Sequence, residues 1–206
     1  MLLRINPSKP NENEIEQVVG CLKSGGIIIY PTDTVYGLGC DIYQPKAVEK
    51  ICQLKGIKSK NANFSFVCSD LSHLSEFTKP ISTPVFKLMK KALPGAFTFI
   101  LPASNKVPKL FSSKKKTVGI RVPDNNICTE IVKMLGNPIM STSIHDKDEI
   151  VEYTTDPDLI YDSYKNKVDM VIAGGYGNNE ASTVIDCNND DVVILRQGLG
   201  QLDELL

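Results

Sequence analysis

The chain has 206 residues and a hydrophobic share of 42%, which is enough to bury one sizeable core and lies in the size range of one large domain. Its 23 basic and 24 acidic residues nearly balance, which excludes a strongly basic nucleic-acid-binding field over the whole molecule and an acidic disordered tail. We therefore expect a single domain over residues 1–206.

Cysteine and histidine spacing argues against a metal site. None of the six cysteines forms a CxxC pair, and none stands at metal-ligand spacing from either of the two histidines. We expect buried, reduced thiols and no protein-bound metal. The sequence opens without a signal peptide and has no apolar run near the roughly 20 residues that span a bilayer, so we expect a cytoplasmic protein that does not enter a membrane.

The apolar pattern predicts alternating helices and strands at first and mainly strands towards the end. A first helix over Asn11–Ser24 begins at a capping asparagine and carries an apolar stripe at helical spacing. The further predicted elements are, in chain order, strand Ile27–Tyr30, helix Pro45–Leu54, strand Phe64–Cys68, helices Asp70–Phe77 and Thr83–Leu93, strands Ala96–Leu101 and Thr117–Val122, helix Asn125–Leu135, strand Pro138–Ser141, helix Asp156–Tyr164, and strands Val168–Ile172, Ser182–Asp186 and Val192–Leu195. This order predicts an α/β domain with a mixed sheet.

Small hydroxyl residues stand at three places where a predicted strand meets a loop. Thr32 and Thr34 follow the first strand, Ser141 and Ser143 lie at the end of a later one, and Ser182 opens another. Ligands of open α/β sheets bind at the carboxyl ends of strands, and hydroxyls there can bind phosphate, ribose or an amino acid without burying a charge. The alternative is that these residues only cap turns, and both interpretations stay open here.

The standard motifs of nucleotide-binding and hydrolytic enzymes are absent. The segment Gly37-Leu38-Gly39 lacks the third glycine of GxGxxG, and no GxxxxGK[ST], GxSxG or HExxH occurs. The motifs therefore do not predict a Rossmann dehydrogenase, a P-loop NTPase or a hydrolase of either kind.

Two arginines are placed differently from the lysines. Arg121, in VGIRVP, and Arg196, after Val192–Leu195, lie at the ends of predicted apolar strands. An arginine in a half-buried strand needs a carboxylate or phosphate partner. The lysine run 114–116 is typical of a solvated face and gives no more than a hint of an RNA-binding or anion-binding rim.

Seven segments together resemble the YrdC/YciO-like family of threonylcarbamoyl-AMP synthases. In chain order they are GGIIIYPTDTVYGLGCD, ICQLKGIK, LPGAFTFILP, VGIRVPD, PIMSTS, ASTVID and ILRQG. Each alone has little specificity, whereas seven in the right order are a specific signal. The resemblance runs from Gly26 to Gly198, and the segment Asn63–Cys68 indicates the YciO branch.

The resemblance implies a YrdC-like fold, which is a single-domain twisted mixed sheet with flanking helices and a concave, positively lined cavity. It also implies a nucleotidyltransferase reaction in which L-threonine, bicarbonate and ATP with Mg²⁺ give threonylcarbamoyl-AMP and pyrophosphate. The product serves the threonylcarbamoyladenosine modification of tRNA, and family members are also described as binding double-stranded RNA.

The resemblance also implies roles for individual residues. Lys55 matches the catalytic lysine, which binds substrate and neutralises carboxylate or phosphate charge, while Thr32 and Thr34 would contact threonine or its carbamate. Ser143 and Ser182 would contact the substrate as well. The residues that would hold the adenylate are Arg121, Ser141, Ser143, Ser182 and Arg196.

Two positions depart from the family pattern. Ile57 stands where the arginine of a Lys-x-Arg motif is expected, and His145 where the asparagine of a Ser-x-Asn motif is expected. The first change removes a planar five-donor group, for which Lys58 offers only a point charge. Three interpretations therefore remain: a synthase, a nucleotide- and RNA-binding relative without efficient synthesis, and an enzyme of another carbamoyl or acyl adenylate.

Overall fold

One mixed sheet organises the molecule, and the helices lie on its two faces. The computed structural model describes residues 1–57, 64–72, 74–108, 116–144, 155–189 and 191–203. The strands are β1 (Leu2–Arg4), β2 (Ile28–Tyr30), β3 (Gly37–Asp41), β4 (Ser65–Val67), β5 (Phe97–Pro102), β6 (Thr117–Arg121), β7 (Ile139–Ser143), β8 (Met170–Ala173), β9 (Thr183–Asp186) and β10 (Val193–Arg196). The helices are α1 (Glu12–Lys23), α2 (Pro45–Leu54), α3 (Leu74–Phe77), α4 (Thr83–Ala92), α5 (Asn126–Leu135) and α6 (Pro157–Tyr164).

The strand order makes the sheet mixed. Within the described residues the order is β1-β8-β2-β3-β7-β4-β6-β5-β9-β10. Strands β1, β8 and β2 are parallel, β3 and β7 run antiparallel in the middle, and the pairs β4–β6 and β5–β9 are parallel again. The predicted fold class, a mixed α/β domain with a twisted open sheet, is confirmed.

The alternation of side chains along the strands separates two cores. On one face, α1 and α5 pack on alternate residues such as Ile28, Val67 and Ile139. On the other face, α2, α3, α4 and α6 pack on the intervening residues, such as Ile29 and Phe66. The cluster on the first face includes Val67 of β4 but no residue of β6, β5 or β9, so this part of the face carries no helix from the described residues.

Most predicted elements are present within two residues of their predicted ends, but two strands were missed. Strand β3 is absent from the predicted elements, and its sequence contains two glycines, which are depleted in strands. The sheet needs them there: a Cβ at Gly37 would lie 2.9 Å from Cζ of Tyr30, and one at Gly39 would lie 2.7 Å from Cγ2 of Ile139. The short edge strand β1 exists only through its pairing with β8, which no local pattern reveals.

The helix predicted over Asp70–Phe77 was too long. The described helix is Leu74–Phe77, because the carboxylate of Asp70 accepts a hydrogen bond from the backbone N–H of Ser72 at 2.6 Å and holds the chain in a turn. Among the described residues, no helix combines the length and the apolar character needed to cross a bilayer.

Two glycines that both have open space for an added Cβ should respond to alanine in opposite directions, because their backbone conformations differ. Gly136 ends α5 in the left-handed region with a φ of 82°, so we expect Gly136→Ala to lower the free energy of unfolding by about 1 kcal/mol. Gly20 lies on the exposed side of α1 with no atom within 4 Å of an added Cβ, so Gly20→Ala should raise it by about 1 kcal/mol. Urea unfolding followed by circular dichroism measures both, and equal shifts would contradict the conformational explanation.

Candidate functional site

A cavity of about 540 Å³ occupies the part of the sheet that no described helix covers. Its floor is formed by β6, β5, β9 and the strands beside them, and its described walls carry two arginines and one carboxylate. Its lining includes Ser65, Thr98, Gly119, Arg121, Ser141, Ser143, Ser182, Asp186 and Arg196.

Residue size along the strands explains why the space is open. On β5, Thr98 faces the cavity while Phe97 and Phe99 face the opposite core. On β6, Gly119 faces the cavity between the buried residues Val118 and Ile120. Small residues on one face and large apolar residues on the other give a floor that is supported from behind and empty in front.

Arg121 ends β6 and is the most constrained charged group of the cavity. Its side chain is 10% exposed, and its Nη2 donates to Oγ1 of Thr32 at 3.1 Å, to Oδ1 of Asp33 at 2.6 Å and to Oγ1 of Thr34 at 2.6 Å. The loop after β2 therefore supplies both the counter-ion and two neutral acceptors. The predicted need of Arg121 for a carboxylate is met by Asp33, the residue between the two threonines.

Arg196, on the edge strand β10, brings a second cation to the cavity. Its Nη2 donates to the backbone carbonyl of Ser182 at 2.8 Å, and the hydroxyl of Ser182 lies 2.8 Å from that of Thr98. Burial lowers the pKa of Arg196, and the nearby charge of Arg121 lowers it further. An anion bound between the two guanidinium groups would relieve this repulsion.

The serines of β7 stand at the centre of the sheet beside the cavity. Tyr30 donates from its buried hydroxyl to Oγ of Ser141 at 2.7 Å. Burial raises the pKa of Tyr30, so the phenol remains a neutral donor at physiological pH. Ser143 of β7 pairs with Gly37 of the neighbouring strand β3, and both residues line the cavity.

The structure places the predicted site residues in three groups. Arg121, Ser141, Ser143, Ser182 and Arg196 all line the cavity. The predicted contacts Thr32 and Thr34 are not among its described lining residues but touch Arg121 directly.

Lys55 and Ile57 follow helix α2. Lys55 is the half-buried residue that ends α2, and neither it nor Ile57, which is 38% exposed, belongs to the described lining. Lys58, His145 and the lysines 114 and 115 fall outside the described residues. The expectation of a catalytic role for Lys55 therefore stays a prediction.

Four further residues belong to the site and were not singled out from the sequence. They are Asp33, which pairs with Arg121, and Thr98, Tyr36 and Asp186, which line the cavity. The alternation FTFIL in β5 could have identified Thr98, because a threonine between two phenylalanines faces away from the core. Nothing local distinguishes Asp33 from a turn aspartate, because its partner lies 88 positions further along the chain.

A Sua5/YciO/YrdC family model, described as "Telomere recombination", matches residues 20–198. The uncharacterized protein YciO of Escherichia coli is 39% identical over 204 residues, which is 98% of this chain and 97% of that protein. Its crystal structure superposes with a TM-score of 0.91 at 38% identity and covers 100% of this chain and 99% of the other.

Proteins with an assigned activity are more distant. A threonylcarbamoyl-AMP synthase of Coxiella burnetii is 29% identical over 171 residues, covering 83% of this chain and 90% of that enzyme. The crystal structure of P. abyssi Sua5 complexed with L-threonine superposes with a TM-score of 0.88 at 27% identity. It matches 99% of this chain but only 59% of its own, so the longer protein carries a further part outside the match.

Proposed function

Because the chain belongs to the Sua5/YciO/YrdC family, as its match over residues 20–198 shows, we propose that it is an adenylate-forming nucleotidyltransferase of the threonylcarbamoyl-AMP synthase type. Its substrates are ATP with Mg²⁺, L-threonine and bicarbonate, and its products are threonylcarbamoyl-AMP and pyrophosphate. The product would serve the threonylcarbamoyladenosine modification of tRNA.

The observation that carries this proposal is the pair of arginines, Arg121 and Arg196, in a cavity floored by small hydroxyl residues. Adenylate formation requires a carbamate oxygen to be aimed at the α-phosphate while positive charge stabilises the phosphates. Ser141, Ser143 and Ser182 supply neutral hydrogen-bonding groups between the two cations. We assign the adenylate to these five residues, and the solved P. abyssi Sua5 complex with L-threonine supports L-threonine as the amino acid substrate.

A second function has a specific observation in its favour. The apolar, 38% exposed Ile57 stands where the family's Lys-x-Arg motif has an arginine, so one clamp for a carboxylate or phosphate is missing. The alternative is a relative that binds nucleotide or double-stranded RNA without efficient synthesis.

Pyrophosphate release separates the two functions. The protein is incubated with ATP and Mg²⁺, with and without L-threonine and bicarbonate, and the nucleotide product is identified by mass. We expect release that requires both co-substrates and a product with the mass of threonylcarbamoyl-AMP. Nucleotide binding, seen as a thermal shift, without any release would contradict synthesis and favour the binding function.

Release that needs a different amino acid or acid would contradict the assignment of L-threonine while leaving an adenylate-forming enzyme in place. The matched control is heat-denatured protein at the same concentration, which reports pyrophosphate from ATP breakdown alone.

A further inference from the structure

Three consecutive residues of one loop, Thr32, Asp33 and Thr34, converge on a single nitrogen of Arg121. Nη2 carries two hydrogens, yet it has three acceptors within 3.1 Å. Such a concentration of acceptors on one end of a guanidinium fixes its plane as well as its position.

The hydroxyl of Thr32 has no hydrogen-bonding capacity left for a ligand. A threonine hydroxyl offers one donor and two acceptor sites. Oγ1 of Thr32 donates to the carbonyl of Val35 at 2.8 Å and accepts from the N–H of Thr34 and from Arg121, each at 3.1 Å. All three sites are therefore in use.

Thr34 is excluded from direct contact with a ligand for a different reason, which is its burial. Thr34 is 0% exposed and is not among the described residues that line the cavity. Its hydroxyl lies 2.6 Å from Nη2 of Arg121, so it reaches the cavity only through that guanidinium.

The remaining nitrogens of Arg121 show what the arrangement leaves available. Nε of Arg121 and Oδ2 of Asp33 are both buried without a hydrogen-bond partner. The other carboxylate oxygen of Asp33, Oδ1, already accepts from Nη2 of Arg121. Nη1 has no partner among the described residues and is not one of the buried unsatisfied atoms. Nη1 is therefore the nitrogen of Arg121 that is left for a ligand in the cavity that this residue lines.

We propose that Asp33, Thr32 and Thr34 are positioning residues that clamp Arg121 and thereby aim its free nitrogen at the anion in the cavity. The two threonines act through the arginine and do not contact the amino acid substrate. The proposal rests on the proposed function for the identity of the anion, but the clamp itself is a property of the chain alone.

Nuclear magnetic resonance of the guanidinium groups tests the clamp without any ligand. The chain has three arginines, Arg4, Arg121 and Arg196, so their side-chain ¹⁵N signals are assignable by substitution. We expect slow rotation about the Nε–Cζ bond of Arg121, with separate Nη signals, and fast rotation in Arg4, which is 65% exposed. Equally fast rotation in both arginines would overturn the proposal.

Paired variants connect the clamp to binding. Thr34→Val keeps the shape of the side chain and removes the hydroxyl, whereas Thr34→Ser keeps the hydroxyl. The control Thr78→Val makes the same change at a buried threonine whose hydroxyl donates to the carbonyl of Leu74 in helix α3. Calorimetry with AMP and with inorganic pyrophosphate should show about tenfold weaker binding for Thr34→Val alone. The rotation of Arg121 should become faster in that variant and stay slow in the other two.

Asp33→Asn separates positioning from charge. The change makes the cavity more positive by one unit, so a purely electrostatic role predicts tighter pyrophosphate binding, whereas the clamp predicts weaker binding and faster rotation of Arg121. Weaker binding of L-threonine to Thr34→Val, with AMP and pyrophosphate unchanged, would overturn the proposal in favour of direct substrate contact. If the parent binds neither AMP nor pyrophosphate, the proposed function fails, and the rotation of Arg121 still decides the clamp.

Discussion

Arg121→Met is expected to lower the free energy of unfolding by about 3–5 kcal/mol, because it leaves the carboxylate of Asp33 buried without its counter-ion. The two side chains are only 10% and 12% exposed, so water cannot replace the lost charge without a rearrangement of the loop. Thr32 and Thr34 lose a shared donor at the same time. Urea unfolding at neutral pH, followed by circular dichroism, measures the change.

The double variant Asp33→Leu/Arg121→Met is the matched control for this result. Replacing both members of a buried ion pair by apolar residues is often neutral or stabilising, so the double variant should recover most of the lost stability. It should nevertheless bind AMP no better than Arg121→Met, since the cation is absent in both. A loss below about 1 kcal/mol in the single variant would show that Asp33 becomes hydrated at little cost.

Arg196→Gln is expected to weaken AMP and ATP binding by about 10- to 100-fold, the range for loss of a charge-assisted hydrogen bond. Arg196 makes one described hydrogen bond, to the carbonyl of Ser182, and lies on the exposed strand β10. Its removal should therefore change stability little. Calorimetric titration at two salt concentrations measures the affinity and shows whether the lost interaction is electrostatic.

Arg4→Gln is the control for Arg196→Gln. Arg4 is also an arginine at a sheet edge, and it forms an exposed ion pair with Asp158 at 2.5 Å. Because it lies on β1, at the opposite end of the strand order from β10, its loss should leave nucleotide affinity unchanged. Equal losses in the two variants would indicate a nonspecific effect of net charge, and an unchanged affinity in Arg196→Gln would remove that residue from the nucleotide site.

The contrast between the two arginines describes the electrostatics of the cavity. Arg121 is neutralised by Asp33, whereas Arg196 has only neutral acceptors among its described contacts. Arg196, the arginine without a described ion-pair partner, therefore lies at the β9–β10 side of the cavity, where the carboxylate of Asp186 also lines the wall. We expect the most strongly charged part of the ligand, the phosphates, to bind on that side, with Arg121 supplying a directed hydrogen bond.

Much of the fold could be predicted from the sequence because the relevant signals are local. Helix α1 has a capping asparagine and a stripe of apolar residues at helical spacing, and its predicted and observed ranges agree within one residue at each end. Helix α5 ends at Leu135, because the glycine that follows it, Gly136, takes the left-handed conformation. The serines and arginines of the cavity were also identifiable, since each lies at or next to a strand and forms part of a family-like segment.

The sequence by itself determined the α/β class, the mixed sheet and five of the polar residues that meet in the cavity, because the signals for them lie in short segments of the chain. Only the tertiary structure decided that the glycine-rich segment of β3 is a central strand, because its need for glycine comes from Tyr30 and Ile139 in other strands. Tertiary packing likewise decided that Thr32 and Thr34 hold Arg121 behind the cavity wall, because the loop after β2 meets the end of β6 only when the sheet has assembled.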